Sequence, residues 1–168
     1  MKTTTFLLED DGRVPNNPSL PLVLYDDVFS PGTGTDTAIA RFAENGWQGA
    51  WVNGIYDFHH YHARAHEVLA NLGPTVTVQF GGDRGPVVDF PVGAVVVIPA
   101  GGGHCRVSQR GGLTIVGAYP VGQADWDLKR ADSPDDYARA HSEIAQVAMP
   151  DKDPVSGDDG PLLAHWRG

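Results

Sequence analysis

The sequence is poor in cysteine and in basic residues. A single cysteine among 168 residues excludes an internal disulfide. The 12 Lys and Arg residues are outnumbered by 21 Asp and Glu, which gives a formal net charge of −9. The basic residues are scattered and form no patch, so we expect no nucleic-acid partner, and the acidic balance disfavours binding to anionic membranes.

Long hydrophobic runs are also missing. No apolar stretch of the chain approaches the roughly 20 residues that a transmembrane helix needs. The first residues, MKTTTFLLEDD, lack the apolar core of a signal peptide. We therefore expect a cytoplasmic protein with no membrane partner.

Glycine and proline, in contrast, are frequent. The chain has 21 Gly, 13 Pro and a hydrophobic fraction of 41%, which is normal for a globular protein. Many short apolar segments lie between Gly/Pro turns, and this pattern is typical of an all-β sandwich or barrel. The length suits one domain with a single core.

The first 45 residues are predicted to form an N-terminal arm. Residues 3–8 have the composition of a short edge strand, and residues 20–25 that of an extended piece lying on the core. Asp36 or Thr37 can cap a short helix. We expect residues 1–45 to pack on the outside of the β structure, and the alternative is a flap over the functional site.

Residues 46–130 are predicted to form the β structure itself. Residues 47–58 are rich in aromatic residues and have strand-like composition, and Asn53-Gly54 is typical of a hairpin turn. Residues 75–80 alternate apolar and polar side chains, which indicates a half-buried strand. Residues 94–98 are continuously apolar, which predicts a strand buried on both faces.

The last segment, residues 131–168, changes to a helical pattern. Ser133 followed by Pro134 and two acidic residues predicts a helix start, and the helix is expected to run to about Ala148. In the tail, apolar anchors are expected to pack on the barrel or on a second subunit; they are Leu162, Leu163 and Trp166.

The strongest chemical signal is the distribution of histidine. Five of the seven histidines lie in residues 59–66 or at position 104. His60 and His62 share one face of a strand, so both can reach one metal ion. Glu67 can join them only if a turn near residues 63–65 intervenes, and His104 only if its strand folds back alongside. Three imidazoles and one carboxylate suit a transition metal such as Mn, Fe, Co, Ni, Zn or Cu better than Ca or Mg.

The spacing of these residues resembles the two signature motifs of the cupin superfamily. The first motif corresponds to Gly54, five residues, His60, one residue, His62, four residues and Glu67. The second corresponds to Gly93, five residues, Pro99-Ala100-Gly101, two residues and His104. The chain departs from the motifs in two turn or supporting positions. Pro74 stands where the first motif closes with Gly, and Ser108 stands where the second has Asn.

The resemblance implies a cupin jelly-roll β-barrel in which His60, His62, Glu67 and His104 are the metal ligands. The amino-acid sequences of four further segments are similar to those of the YjlB-like subfamily of bacterial cupins. These segments are His66–Leu69, Phe80–Gly82, Ile98–Gly101 and Val116–Pro120. We expect an RmlC-like fold with a divalent metal (Fe, Mn, Ni, Zn or Co). Since cupins commonly pair through strand edges, the resemblance also implies a homodimer.

Other candidate ligands remain open at this point. His66 has the strand parity of His60 and His62, and it could ligate directly, although a supporting or packing role is preferred. His59 faces the opposite side and is expected to be structural. Cys105 is expected to point away from His104 as an ordinary buried residue, with direct ligation as the alternative. Tyr56, Tyr61, Gln79, Arg64 and Tyr119 are candidate pocket residues without a catalytic assignment.

The function expected from this site is metal chemistry on a small organic molecule. One carboxylate leaves a divalent ion with net positive charge, and four protein ligands leave open positions for water or substrate. We expect an oxygenase-like enzyme (a metal-dependent dioxygenase) or an isomerase or lyase. The alternatives are a non-enzymatic cupin that binds or senses a small ligand around a structural metal, and a degenerate cupin without metal.

Overall fold

The computed structural model describes all residues, 1–168, and is built mainly of short strands. The strands are β1 (Thr3–Phe6), β2 (Leu22–Tyr25), β3 (Trp47–Asn53), β4 (His60–Tyr61), β5 (Glu67–Asn71), β6 (Val76–Phe80), β7 (Val87–Phe90), β8 (Val95–Ile98), β9 (His104–Gln109), β10 (Ile115–Pro120) and β11 (Lys129–Arg130). The helices are α1 (Thr35–Glu44), α2 (Pro134–Ile144) and α3 (Pro161–Arg167).

The strands form two antiparallel sheets. One sheet has six strands in the order β1-β2-β8-β5-β10-β3, and the other has five in the order β11-β4-β9-β6-β7. Apolar side chains of both sheets meet in a shared core, with Leu69 and Val96 from the first sheet and Val78 and Phe80 from the second. The predicted all-β jelly roll is confirmed.

The six-stranded sheet is apolar on both faces. In β8, Val96 and Ile98 point into the core between the sheets, whereas Val95 and Val97 point to a second core on the outer side. This alternation explains the continuous apolar run and confirms that the strand is buried on both faces. An outward apolar face must be covered, because exposed apolar surface is unfavourable in water.

Helices cover that outer face. Phe42 of α1 and Leu162 and Trp166 of α3 pack in the same cluster as Val95 and Val97. The sequence predicted these tail residues as anchors but did not predict that they belong to a helix. Pro at the first position of α3 suits a helix start, since its missing N–H has no intrahelical partner there.

The other C-terminal helix packs beside the five-stranded sheet. The Oγ of Ser133 accepts a hydrogen bond from the Asp136 N–H at 3.3 Å, so the predicted N-cap is confirmed. The helix ends at Ile144 rather than Ala148. Ala140 and Ile144 are buried in a small cluster that also contains Tyr61 of β4. This contact connects α2 to the strand that carries His60.

Two segments differ from the expected local structure. The hairpin predicted at Asn53-Gly54 is wrong, because β3 and β4 lie in different sheets and the chain crosses between them. The extended piece expected to lie on the core at residues 20–25 is instead strand β2, which is hydrogen-bonded to β8 within the six-stranded sheet. Strand β1 pairs with β2 and forms one edge of that sheet. The division at residues 45 and 130 remains a prediction. None of the three helices is long and apolar enough to cross a membrane.

Candidate metal centre

Three histidines of the five-stranded sheet converge at one end of the core. His60 of β4 stands directly opposite His104 of β9, and the centroids of their rings are 4.0 Å apart. His62 follows β4 immediately. One ring nitrogen from each of these three residues lies within 4.8 Å of the other two, and all three side chains are buried. The three histidines are close enough to hold one metal ion.

A bend brings Glu67 to the same place from the other sheet. The chain bends at Ala63-Arg64 and then enters the six-stranded sheet, where Glu67 is the first residue of β5. This is the turn that the sequence required. The Oε2 atom of Glu67 lies 3.3 Å from Nε2 of His62 and 3.2 Å from Nε2 of His104. The carboxylate is buried, with 2% of the residue exposed.

The second ring nitrogen of each histidine contacts a backbone carbonyl. Nδ1 of His60 lies 2.9 Å from the Phe58 oxygen, Nδ1 of His104 lies 3.1 Å from the Gly102 oxygen, and Nδ1 of His62 contacts the Asp127 oxygen. A carbonyl oxygen can only accept a hydrogen bond, so each Nδ1 must carry the proton. In the neutral ring the lone pair is therefore on Nε2, the nitrogen that a metal would bind.

Tyr119 holds the other oxygen of the Glu67 carboxylate. Its hydroxyl donates to Oε1 of Glu67 at 3.1 Å and accepts a hydrogen bond from Nε1 of Trp51 at 2.7 Å. Oε2 of Glu67 has no hydrogen-bond partner within the protein. This chain of hydrogen bonds fixes the carboxylate with one oxygen occupied and the other facing the histidines.

A glycine makes this arrangement sterically feasible. A Cβ at Gly117 would lie 2.2 Å from the Trp51 ring, so only glycine lets the indole lie across β10. The pairing of β10 with β3 also shifts register between Gly117 and Tyr119. Such irregularities re-aim side chains. The sequence placed Tyr119 among candidate pocket residues, but its contact with Glu67 follows from the pairing of β10 with β5, which could not be inferred.

Asp127 supports the bend and His62 together. Its carboxylate accepts hydrogen bonds from the N–H groups of Ala63 (3.1 Å) and Arg64 (2.9 Å), while its carbonyl receives His62 Nδ1. The nearly buried Lys129 ammonium lies 3.4 Å from the Asp127 carboxylate and balances its charge. Sequence reasoning missed Asp127, because nothing in the spacing connects it with His62.

The remaining candidates lie outside the three-histidine group. His66 is buried, packs on Trp166 with ring centroids 4.7 Å apart, and accepts a hydrogen bond from the Ala100 N–H through Nδ1. Burial lowers its pKa to about 4. Nε2 of His59 lies 3.0 Å from the Asp83 carboxylate. Cys105 is buried next to His104, and its pKa is raised by burial.

The electrostatics of the cluster are dominated by the Glu67 carboxylate. Burial alone would raise its pKa, but the neighbouring imidazoles of His62 and His104 lower it well below its ordinary value. Burial alone would lower the pKa of His62, yet Glu67 outweighs this and raises it. Burial and the neighbouring His104 lower the pKa of His60 strongly. These shifts favour the charged form of Glu67 and the protonated form of His62 more than in the free side chains.

A cavity of about 460 Å³ opens onto the cluster. Aromatic and apolar side chains form much of its wall, and Arg106 is its only Lys or Arg residue. The lining residues are Trp51, Val52, Asn53, Gly54, Ile55, Tyr56, Asp57, His60, His62, Glu67, Leu69, His104, Arg106, Leu113, Tyr119 and Trp126. None of them comes from the first 45 residues. The volume is that of a small-molecule site.

The jelly-roll topology and the histidine cluster at the end of its core define the class: the chain is a cupin. No protein-family model matches it. It is 39% identical to the uncharacterised protein YjlB of Bacillus subtilis strain 168 over 167 residues, which cover 98% of this chain and 97% of that protein. The chain therefore belongs to the YjlB family, as its motifs predicted.

Solved structures with a similar fold are much more distant in sequence. Acireductone dioxygenase from Bacillus anthracis, solved with a cadmium ion in its active centre, is 14% identical with a TM-score of 0.38, and the match covers 54% of this chain and 60% of that one. RmlC from Streptococcus suis in complex with dTDP-D-xylose is 10% identical with a TM-score of 0.34 over 99% and 94% of the two chains.

Proposed function

We propose that the protein is a metal-dependent cupin enzyme that acts on a small organic molecule. The divalent metal would be held by Nε2 of His60, His62 and His104 and by Oε2 of Glu67. The observation that carries the proposal is the preset tautomer: three Nδ1 atoms donate to carbonyls, so that three Nε2 lone pairs converge on one buried point.

The residues fit a metal in two further respects. Oε2 of Glu67 is buried without a hydrogen-bond partner, and in the neutral cluster it faces the lone pairs of His62 and His104. Such a contact is repulsive unless a cation or a proton lies between these atoms. Three nitrogen donors and one oxygen donor favour Fe, Mn, Co, Ni or Zn, and the geometry does not choose among these metals.

The chain's own residues supply orientation and a sheltered space. A bound divalent metal would acidify water, polarise a carbonyl group or, as iron, react with dioxygen. Tyr119 and Trp51 hold Glu67 in place, and Asp127 holds His62. Trp51, Tyr56 and Trp126 give the cavity aromatic walls. We propose an oxygenase-like (dioxygenase) or isomerase/lyase-like reaction, because both need a metal beside room for a small substrate.

The enzyme proposal is tested by metal analysis combined with an activity screen. The protein is purified aerobically, its metals are quantified, and oxygen uptake and product formation are followed with small phenols, keto acids and thiols. The proposal predicts about one metal per chain and turnover by the metal-loaded form that is lost after chelation. Stoichiometric metal that raises the melting temperature without any turnover would favour the alternative, a cupin that binds or senses a ligand around a structural metal.

Metal binding should weaken as the pH falls. Glu67 raises the pKa of His62 above its ordinary 6.5, so His62 holds its Nε2 proton to a higher pH than a free imidazole does, and a metal must displace that proton. Below the raised pKa, each pH unit should cost up to about tenfold in apparent affinity per displaced proton. A cobalt titration from pH 5 to pH 8 measures this. A constant affinity over that range would contradict histidine ligation.

Removing the Tyr119 hydroxyl should weaken the metal site without unfolding the protein. Tyr119→Phe leaves Oε1 of Glu67 without its donor, so we expect a 10- to 100-fold loss of cobalt affinity, roughly the effect of losing a partner that orients a ligand. The matched control is Tyr61→Phe, because the buried Tyr61 hydroxyl has no hydrogen-bond partner to lose. Equal cobalt affinities in the two variants would show that Tyr119 does not position Glu67.

The proposal also includes a homodimer in the cytoplasm. β3 forms one edge of the six-stranded sheet, and most of its residues are exposed, so two copies can pair along it. The homodimer is a prediction carried over from the family resemblance, and the cytoplasmic location is a prediction from the sequence alone.

A further inference from the structure

Arg106 faces the same cavity as the histidine cluster. On β9 it stands two residues after His104, and side chains two apart on a strand share a face. It pairs with the buried Val78 of β6, just as His104 pairs with Phe80, so both side chains point towards the core between the sheets. The two Cα atoms are separated by about 7 Å along the strand.

The guanidinium of Arg106 is anchored at one nitrogen only. Nε donates to the Ile55 carbonyl at 3.0 Å, and neither Nη1 nor Nη2 makes a hydrogen bond within the protein. Nη2 has one charged neighbour, the Asp57 carboxylate, at 4.0 Å. The side chain of Asp57 is 72% exposed, whereas that of Arg106 is 25% exposed. The terminal nitrogens therefore present unused donors to the cavity.

The rest of the cavity suits an apolar body. Trp51, Leu113 and Trp126 line it, and Tyr56 stacks on Phe58 with ring centroids 4.9 Å apart and meets the His60 ring edge-on. A ligand that contacts both Arg106 and the histidine cluster must span a distance of only a few ångströms. It would then lie among aromatic rings, which favour flat apolar groups.

From this juxtaposition we propose that Arg106 binds the carboxylate of a small organic acid, with the acid's apolar body lying among the aromatic walls and its reacting end at the histidine cluster. The proposal rests on the proposed function and names its substrate class. A guanidinium matches a carboxylate through two parallel N–H donors. A dianionic phosphate fits less well, because Arg106 is the only Lys or Arg residue of the lining and two carboxylates, Asp57 and Glu67, also line the cavity.

The test measures binding of benzoate and of its neutral analogue benzamide by calorimetry, with metal-free and cobalt-loaded protein. We expect benzoate to bind at least tenfold more tightly than benzamide. Arg106→Gln should remove this preference. Arg106→Lys should keep part of it, because lysine has the positive charge but lacks the two parallel N–H donors of the guanidinium. Arg110→Gln is the matched control, because Arg110 lies on an exposed loop after β9, paired with Asp89, and should leave benzoate binding unchanged.

A second variant guards against misfolding of Arg106→Gln. Asp57→Asn removes the competing carboxylate from an exposed position and should tighten benzoate binding severalfold. Equal binding of benzoate and benzamide, or wild-type benzoate affinity in both Arg106→Gln and Asp57→Asn, would overturn the proposal. Benzoate binding that needs cobalt and ignores Arg106 would overturn it as well, while supporting the metal site. Benzoate binding to Arg106 in a protein that takes up no cobalt would support the carboxylate site and contradict the proposed function.

Discussion

Replacing His104 with alanine should lower the affinity for cobalt by about 100-fold or more, since losing a ligand exceeds the 10- to 100-fold cost of losing a residue that supports one. The imidazole of His104 lies within 4.8 Å of the ligand atoms of His60 and His62, and its Nε2 lies 3.2 Å from Glu67. No neighbouring histidine can replace it, because His66 packs against Trp166 and does not line the cavity. A cobalt titration followed by absorption or calorimetry measures the change.

The control for this experiment is His59→Ala. His59 neighbours His60 in the chain but pairs with Asp83 outside the cluster, so its removal should leave cobalt binding within a factor of two or three. Wild-type cobalt affinity in His104→Ala, or an equal loss in both variants, would mean that cobalt binds elsewhere on the protein.

Replacing Asp153 with alanine should cause a large loss of stability. Asp153 is completely buried and accepts hydrogen bonds from the Tyr25 hydroxyl (2.7 Å) and from the N–H groups of Val155 (2.7 Å), Ser156 (2.9 Å) and Leu162 (2.9 Å). The variant leaves buried donors unpaired, which should cost about 3 kcal/mol or more. For a chain of this length, that is a drop in melting temperature of about 10 °C.

The exposed Asp158 provides the matched control. Its side chain is 77% exposed and pairs with Lys152 at 3.4 Å, so Asp158→Ala should change the free energy of unfolding by less than about 1 kcal/mol. Asp153→Asn should fall between the two, because it keeps one carbonyl oxygen as an acceptor. If Asp153→Ala were as stable as Asp158→Ala, the buried carboxylate would not be what fastens the C-terminal segment to β2.

The sequence contained enough information for the sheets and for the convergence of the histidines. Period-two alternation at residues 75–80 and the apolar run at residues 94–98 depend only on which faces are buried, so they predict strands reliably. His60 and His104 stand at fixed spacings from glycines in two ordered motifs. Their meeting across β4 and β9 follows from the fold that those motifs indicate.

The supporting contacts could not be predicted, because they depend on tertiary positions. Asp127 lies 65 positions after His62 and reaches it only when β11 pairs with β4. Tyr119 reaches Glu67 because β10 pairs with β5, a tertiary pairing that no local pattern reveals. The hairpin at Asn53-Gly54 was mispredicted because a local turn preference cannot show that the next strand joins a different sheet. Likewise α3 has seven residues, which is too short for a clear helical period.

The most direct test of the metal centre is an anomalous diffraction map of a crystal grown with cobalt or zinc. We predict one dominant peak about 2.0–2.2 Å from Nε2 of His60, His62 and His104 and from an oxygen of Glu67. The proposed metal centre would be contradicted by a crystal in which the only anomalous peaks lie outside this cluster, or in which the imidazole of His104 lies beyond bonding distance of the ion.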